Sequence, residues 1–135
     1  MVHLANQIDR QLIMKTILFI EDESALQKTF GEVLGQEGYK IIPALDGETG
    51  LKLAKTKNPD LILLDLILPK IHGFDVLKKL KETEETKNIP VIILTNLEEV
   101  GDINKALEMG VTTYLVKAQY SLEEVVEKVK SALND

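Results

Sequence analysis

The sequence predicts an α/β fold: a doubly wound, five-stranded parallel sheet with five helices on its two faces. Aliphatic runs alternate along the chain with segments whose apolar residues recur at helical spacing. The clearest run, residues 60–69, is Asp-Leu-Ile-Leu-Leu-Asp-Leu-Ile-Leu-Pro. It has the length and composition of a buried parallel strand, and it stops at Asp65 before a proline. Such alternation is typical of right-handed crossover connections within one parallel sheet.

The first half of the chain supplies two strands and two helices. The first strand is predicted at residues 16–20, and Ser24 is the predicted N-cap of a helix that ends at Gly38. The second strand covers residues 39–44. The second helix covers residues 47–57 and ends at an Asn-Pro pair, because a residue before proline disfavours the helical conformation.

The second half continues the alternation with strands and helices of similar length. The third strand lies in the run at residues 60–69 and ends at Asp65, and the elements that follow are predicted at residues 74–82, 90–94, 98–109, 112–116 and 122–133. Ser121 and Glu124 have the spacing of a capping box before the last helix. The charge-rich segment 81–88 is expected to lie in solvent.

Composition indicates one globular domain at residues 15–135, preceded by an N-terminal extension at residues 1–14 that is weakly ordered or a short helix. The 135 residues, 44% hydrophobic and 28% charged, suffice for one sizeable core. The chain has no cysteine, which excludes disulfides and thiolate metal sites. A net charge of −6 argues against direct nucleic-acid binding, and no apolar run could span a membrane. We therefore expect a cytoplasmic protein.

Polar side chains follow four of the predicted strands at their carboxyl ends. Glu21 and Asp22 follow the first strand, Asp65 the third, Thr95 the fourth and Lys117 the fifth. Ligands of doubly wound sheets bind beyond these ends, and clustered carboxylates repel one another unless a hard cation such as Mg²⁺ relieves them. Each residue also has a simpler interpretation, as a helix cap, a β-branched strand residue or a solvated lysine. Their coincidence at one edge favours a site.

The same segments carry a resemblance to a known family. The chain resembles the receiver domain of bacterial two-component response regulators, most closely the single-domain chemotaxis-regulator type, from Lys15 to Leu133. The matching segments are residues 17–23, 63–69 with Gly73, 91–95 and 114–117. The resemblance implies a flavodoxin-like fold with sheet order 2-1-3-4-5.

The resemblance also implies roles in phosphoryl and magnesium chemistry. Asp65 would be the phosphoryl acceptor, a carboxylate nucleophile that forms an aspartyl phosphate. Asp22 would bind Mg²⁺ directly and Glu21 mainly through water. Asp65 itself and the backbone carbonyl of Ile67 would complete the metal site.

Three further residues would serve the phosphorylated state. Lys117 would pair with the phosphoryl oxygens, and Thr95 would donate its hydroxyl to one of them. Thr95 would then move toward the phosphate and Tyr114 would rotate inward, altering the face formed by the fourth helix, fifth strand and fifth helix. A half-buried strand aromatic is the simpler alternative for Tyr114.

Some positions depart from the family pattern. Ala118 follows Lys117, where the family usually has a proline after a cis bond, and this leaves the placement of Lys117 open. Ile67 and Leu97 stand where many relatives have polar residues. We expect these two aliphatic side chains to restrict the attacking water and to prolong the phosphorylated state.

The function implied is that of a stand-alone receiver domain, a phosphorylation-controlled switch in phosphorelay signalling. Expected partners are a sensor histidine kinase or a histidine phosphotransfer protein and a downstream protein target, with the chain a monomer or a weak phosphorylation-dependent dimer. Beyond self-phosphorylation and self-dephosphorylation it is expected not to be an enzyme. A phosphatase on this fold would want an acid at Ile67, and nucleotide or flavin binding would want a glycine-rich loop after the first strand. An unphosphorylated adaptor is the third alternative.

Overall fold

A computed structural model describes residues 14–135 of the protein, so the predicted extension at 1–14 lies outside the described residues except for Met14. Residues 14–135 form five strands and five α-helices in strict alternation. In chain order these are β1 Thr16–Ile20, α1 Ser24–Gln36, β2 Lys40–Ala44, α2 Gly47–Lys57, β3 Leu61–Leu64, α3 Gly73–Glu82, β4 Val91–Thr95, α4 Val100–Glu108, β5 Thr113–Val116 and α5 Leu122–Ala132. Each of these helices is too short or too polar to cross a membrane.

The strands form one parallel sheet in the order β2-β1-β3-β4-β5. This confirms the predicted fold class and the strand order that the resemblance implied. Ile20 of β1 is level with Leu64 of β3, and Leu64 is level with Ile93 of β4. The residues that follow these central strands therefore meet at one edge of the sheet.

Two apolar layers cover the two faces of the sheet, so the central strand β3 is buried on both sides. Leu61 and Leu63 belong to the layer beneath α1 and α5, whereas Ile62 and Leu64 belong to the layer beneath α2, α3 and α4. All four side chains are fully buried. An unbroken aliphatic run is what a strand with helices on both sides requires.

Most element boundaries differ from the predictions by one or two residues, and two local details differ in kind. The N-cap of α1 is Glu23 and not Ser24, because the Glu23 carbonyl already accepts the first helical hydrogen bond, from Gln27 N at 3.1 Å. In the segment 81–88, Thr86 is buried rather than solvated, and its hydroxyl donates to Leu80 O at 2.7 Å. The capping box predicted before α5 is confirmed.

Candidate functional site

Asp65 directly follows β3 and lies at the centre of a polar group at the carboxyl edge of the sheet. Its backbone N–H donates to Ile20 O at 3.0 Å, which extends the pairing of β1 with β3. The residue is only 3% exposed. Its Oδ1 accepts hydrogen bonds from Thr95 Oγ1 at 2.6 Å and Ile67 N at 3.0 Å, and its Oδ2 accepts one from Lys117 Nζ at 2.8 Å. Three donors therefore offset the burial of this carboxylate.

Lys117 links Asp65 to a second buried acid, Glu21. Lys117 Nζ also donates to Glu21 Oε1. Burial alone lowers the pKa of the Lys117 ammonium, but hydrogen bonds to Asp65 and Glu21 outweigh it and leave that pKa raised. Burial raises the pKa of Glu21 to about 7, against opposing hydrogen bonds from Lys117 and from the Glu23 backbone. The ammonium thus stays charged and neutralises part of the acidic cluster.

The link from β5 to α5 places Lys117 in this position without a proline. The Lys117–Ala118 peptide bond is trans, and the short 3-10 turn Lys117–Gln119 follows β5. Thr95 of β4 is level with Val116 of β5, so Lys117 leaves the sheet beside Thr95. From the end of β5, the Lys117 side chain consequently reaches Asp65 after β3 and Glu21 after β1.

Three carboxylates converge where a metal ion was predicted. Glu21, Asp22 and Asp65 each offer one oxygen, and these oxygens lie within 4.8 Å of one another. Asp22 is exposed, whereas the other two residues are buried. Mg²⁺ takes oxygen ligands, uses one or two carboxylates and keeps several waters, so this donor set fits it. The ligand role of the Ile67 carbonyl stays a prediction.

The loop between β3 and α3 is held close to Asp65 by Gly73. The Gly73 N–H donates to Leu66 O at 3.0 Å. A Cβ at position 73 would lie 2.2 Å from Leu66 Cα, well inside contact distance. Only glycine fits this close approach, and the approach fixes the backbone directly after Asp65.

Tyr114 lies partly buried on β5, against the core layer beneath α2, α3 and α4. Its hydroxyl donates to Leu97 O at 2.7 Å, and burial raises the pKa of this hydroxyl to about 12. The ring thereby connects β5 to the loop that follows Thr95. Its rotation on phosphorylation stays a prediction.

Gln27 was not among the predicted site residues, but it is buried on α1 next to the carboxyl edge of the sheet. Its side-chain Nε2, which carries two hydrogens, lies within hydrogen-bond distance of the backbone carbonyls of Phe19, Glu21 and Ala44, so these three acceptors share two donors. The sequence pattern that could have predicted this burial is its spacing: Gln27 lies three positions before Phe30 and seven before Leu34, on the buried stripe of the helix.

Comparison with known proteins identifies the family. The model of the response regulator receiver domain matches residues 17–130. The DNA-binding dual master transcriptional regulator RpaA of Synechocystis sp. is 38% identical over 120 residues, which are 89% of this chain and 49% of RpaA. The polar-differentiation response regulator DivK of Brucella ovis is 36% identical over 121 residues, which are 90% of this chain and 98% of DivK. The chain thus spans about half the length of some curated relatives and nearly all of others.

Solved structures agree with this assignment. The Mn(2+)-bound form of response regulator Rcp1 superimposes with a TM-score of 0.77 at 33% identity, covering 87% of this chain and 92% of Rcp1. A CheY-like receiver domain protein from Methanospirillum hungatei gives a TM-score of 0.83 at 25% identity, covering 90% of this chain and 94% of that chain. Sequence and fold agree, and the chain belongs to the response regulator receiver domain family of two-component signalling.

Proposed function

We propose that Asp65 accepts a phosphoryl group from a phosphohistidine donor in a magnesium-dependent reaction. The observation that carries the proposal is the set of donors around one buried carboxylate, namely the Thr95 hydroxyl, the Lys117 ammonium and the Ile67 N–H. These groups supply positive charge and hydrogen bonds where a phosphoryl group attached to Asp65 would carry its negative charge.

In the proposed step, a carboxylate oxygen of Asp65 attacks phosphorus while the P–N bond of the donor breaks. The electron pair of that bond stays on the imidazole nitrogen, and the product is an aspartyl phosphate. Thr95 and Lys117, which now hydrogen-bond the two oxygens of Asp65, transfer these hydrogen bonds to the phosphoryl oxygens. Positioning and charge neutralisation supply most of the catalysis in such a step.

Glu21, Asp22 and Asp65, with the Ile67 carbonyl, would hold the magnesium ion. When bound, the ion supplies positive charge that offsets the charge of the incoming phosphoryl group. The convergence of three carboxylate oxygens within 4.8 Å supports this assignment. The manganese-bound form of the relative Rcp1 supports divalent cation binding by a domain of this kind.

The proposed output is a change in a protein-binding face and not catalysis on another substrate. Family members work with histidine kinases or phosphotransfer proteins, and we assign the same class of donor to this chain. The output face comprises α4, β5 and α5, where Val100 is 70% exposed and Leu107 48% exposed. Tyr114 supports it, because its bond to Leu97 O joins β5 to the loop after Thr95. We place this activity in the cytoplasm, with the chain a monomer or a weak phosphorylation-dependent dimer.

Phosphoramidate tests the proposal, because it carries the same P–N bond as phosphohistidine. After incubation with Mg²⁺, a single phosphoryl group should appear on the peptide that contains Asp65. Hydroxylamine should remove it, since acyl phosphates react with this nucleophile and phosphoserine does not. A modification elsewhere, or one that resists hydroxylamine, would contradict the proposal, and no modification at all would favour the unphosphorylated adaptor.

A further inference from the structure

Gln27 is a buried amide on the apolar stripe of α1. It is 8% exposed, and Phe30 and Leu34 follow it on the same stripe. Burying a polar group is unfavourable unless its hydrogen bonds are recovered. The partners of Gln27 therefore indicate what the amide does.

A single nitrogen of Gln27 joins three backbone carbonyls. Nε2 lies 2.8 Å from Phe19 O, 3.0 Å from Glu21 O and 3.1 Å from Ala44 O. The Glu21 N–H also donates to Ala44 O, at 2.9 Å. The amide thus contacts the end of β1, the end of β2 and Glu21, the first residue after β1.

The orientation of this amide is fixed by its surroundings. Exchanging Oε1 with Nε2 would direct an acceptor at three carbonyl oxygens. In the observed orientation Oε1 is buried and accepts no hydrogen bond from any residue in 14–135. The chain therefore retains a buried amide whose acceptor is unsatisfied, in contact with the backbone of Glu21. Unfavourable polar burial of this kind is typical of groups that serve a site.

We propose that Gln27 is a positioning residue that sets the magnesium affinity of the acidic edge. The Glu21 carbonyl belongs to the peptide plane that leads into Asp22, so anchoring this oxygen fixes the backbone from which both side chains project. Without the anchor, repulsion among Glu21, Asp22 and Asp65 would drive the turn away from β3. The inference rests on the proposed metal site and assigns the residue that keeps the ligands together.

Magnesium binding to the unphosphorylated chain, measured by titration calorimetry, tests this role apart from activity. Gln27→Met keeps the length and apolar surface of the side chain and removes its donors. We expect the dissociation constant for Mg²⁺ to rise about tenfold or more, as is usual when a group that orients a metal ligand is removed. The matched control is Gln36→Met, the same change at an exposed position of α1, and it should bind like the native chain.

A second readout separates positioning from loss of stability. The phosphorylation rate of Gln27→Met should require more Mg²⁺ for half-saturation and should approach the native rate at saturating Mg²⁺. Gln27→Asn, which keeps the amide on a shorter side chain, should bind Mg²⁺ with intermediate affinity. A variant that unfolds at lower temperature yet binds Mg²⁺ like the native chain would overturn the proposal.

The outcomes also distinguish this inference from the proposed function. A native chain that binds no Mg²⁺ would remove the metal site and both proposals with it. A native chain that binds Mg²⁺ with the same affinity as Gln27→Met would overturn the role of Gln27 alone. If neither variant folds, the side-chain amide signals of Gln27 in the native protein decide by NMR. They should shift on Mg²⁺ addition, and unshifted signals would contradict the proposal.

Discussion

Lys117 Nζ lies 2.8 Å from Asp65 Oδ2 while it also donates a hydrogen bond to Glu21. The Lys117 ammonium therefore lies between Glu21 and Asp65, the two buried acids of the site, and supplies a positive charge there. A metal ion that binds the same carboxylates must compete with it for them. We therefore expect Lys117 to have two opposed effects, weakening metal binding and promoting phosphoryl transfer.

Replacing Lys117 should separate these effects. Lys117→Gln removes a positive charge next to the acidic cluster, so we expect Mg²⁺ affinity to rise by about fivefold or more. The phosphorylation rate should fall by roughly a hundredfold, because one group that stabilises transition-state charge is lost. Calorimetry and timed mass spectrometry measure the two quantities, with Lys78→Gln on the exposed side of α3 as the control. Unchanged or weaker Mg²⁺ binding would show that the ammonium does not compete.

Two glycine-to-alanine changes should affect stability in opposite directions. At Gly73 the added Cβ would meet the Leu66 backbone at 2.2 Å, and the free energy of unfolding should fall by roughly 1–3 kcal/mol or more. At Gly35 in α1, apart from its chain neighbours and the nearby backbone of the helix itself, the added Cβ meets no atom of residues 14–135 within 4 Å, and helix propensity should stabilise the chain by up to about 1 kcal/mol. Urea denaturation measures both. Equal stabilities would contradict the close approach at Gly73.

Ile67 and Leu97 should lengthen the life of the aspartyl phosphate. Ile67 is 50% exposed after Asp65, and Leu97 lies partly buried after Thr95. Changing them to Asn and Glu introduces groups that can orient a water, so the dephosphorylation rate should rise about tenfold or more. Leu45→Asn, directly after β2, is a control at an exposed aliphatic residue, and an unchanged rate in the double variant would reject the idea.

Asp46 should make the stability of α2 depend on pH. It caps this helix, and hydrogen bonds from the backbone and hydroxyl of Thr49 hold the pKa of Asp46 below its usual value. A folded-state pKa below the unfolded one stabilises the protein at neutral pH, and this contribution is lost as pH falls through the folded pKa, below about 4. Asp46→Ala should therefore cost about 1 kcal/mol at pH 7 and less at pH 3.

Urea denaturation of the native chain and of Asp46→Ala, at pH 7 and at pH 3, measures this effect. Asp46→Asn, which caps the helix without a charge, should lack the acid-dependent part. An alanine variant whose deficit is the same at pH 3 as at pH 7 would contradict the assignment.

The fold was predictable because its sheet is buried on both sides. Strands such as β3 must then be apolar at every position, and the runs stand out against the helices between them. Residue pattern alone left the strand order open, and the resemblance supplied it. The N-cap of α1 was predicted one residue late, because serine is a preferred N-cap residue type, whereas Glu23 caps this helix without a side-chain hydrogen bond.

The sequence predicted only part of the candidate site. Strand ends brought Asp65 and Thr95 together, since register follows from the buried pattern. Lys117 was predicted to join them, but its exact placement stayed open, because Ala118 stands where the family usually has a proline after a cis bond. Gln27 was missed because its importance lies in carbonyls of β1 and β2 that only the folded chain brings to it.

The most direct test of the central claim is intact-mass spectrometry of the chain after incubation with a small acyl phosphate, with and without Mg²⁺. We expect the native chain to gain one phosphoryl group only when Mg²⁺ is present. Asp65→Asn should gain none. Asp60→Asn, at the other end of the same aliphatic run, should behave like the native chain. A native chain that stays unmodified in Mg²⁺, or an Asp65→Asn variant that is modified as readily, would contradict the assignment of Asp65 as the phosphoryl acceptor.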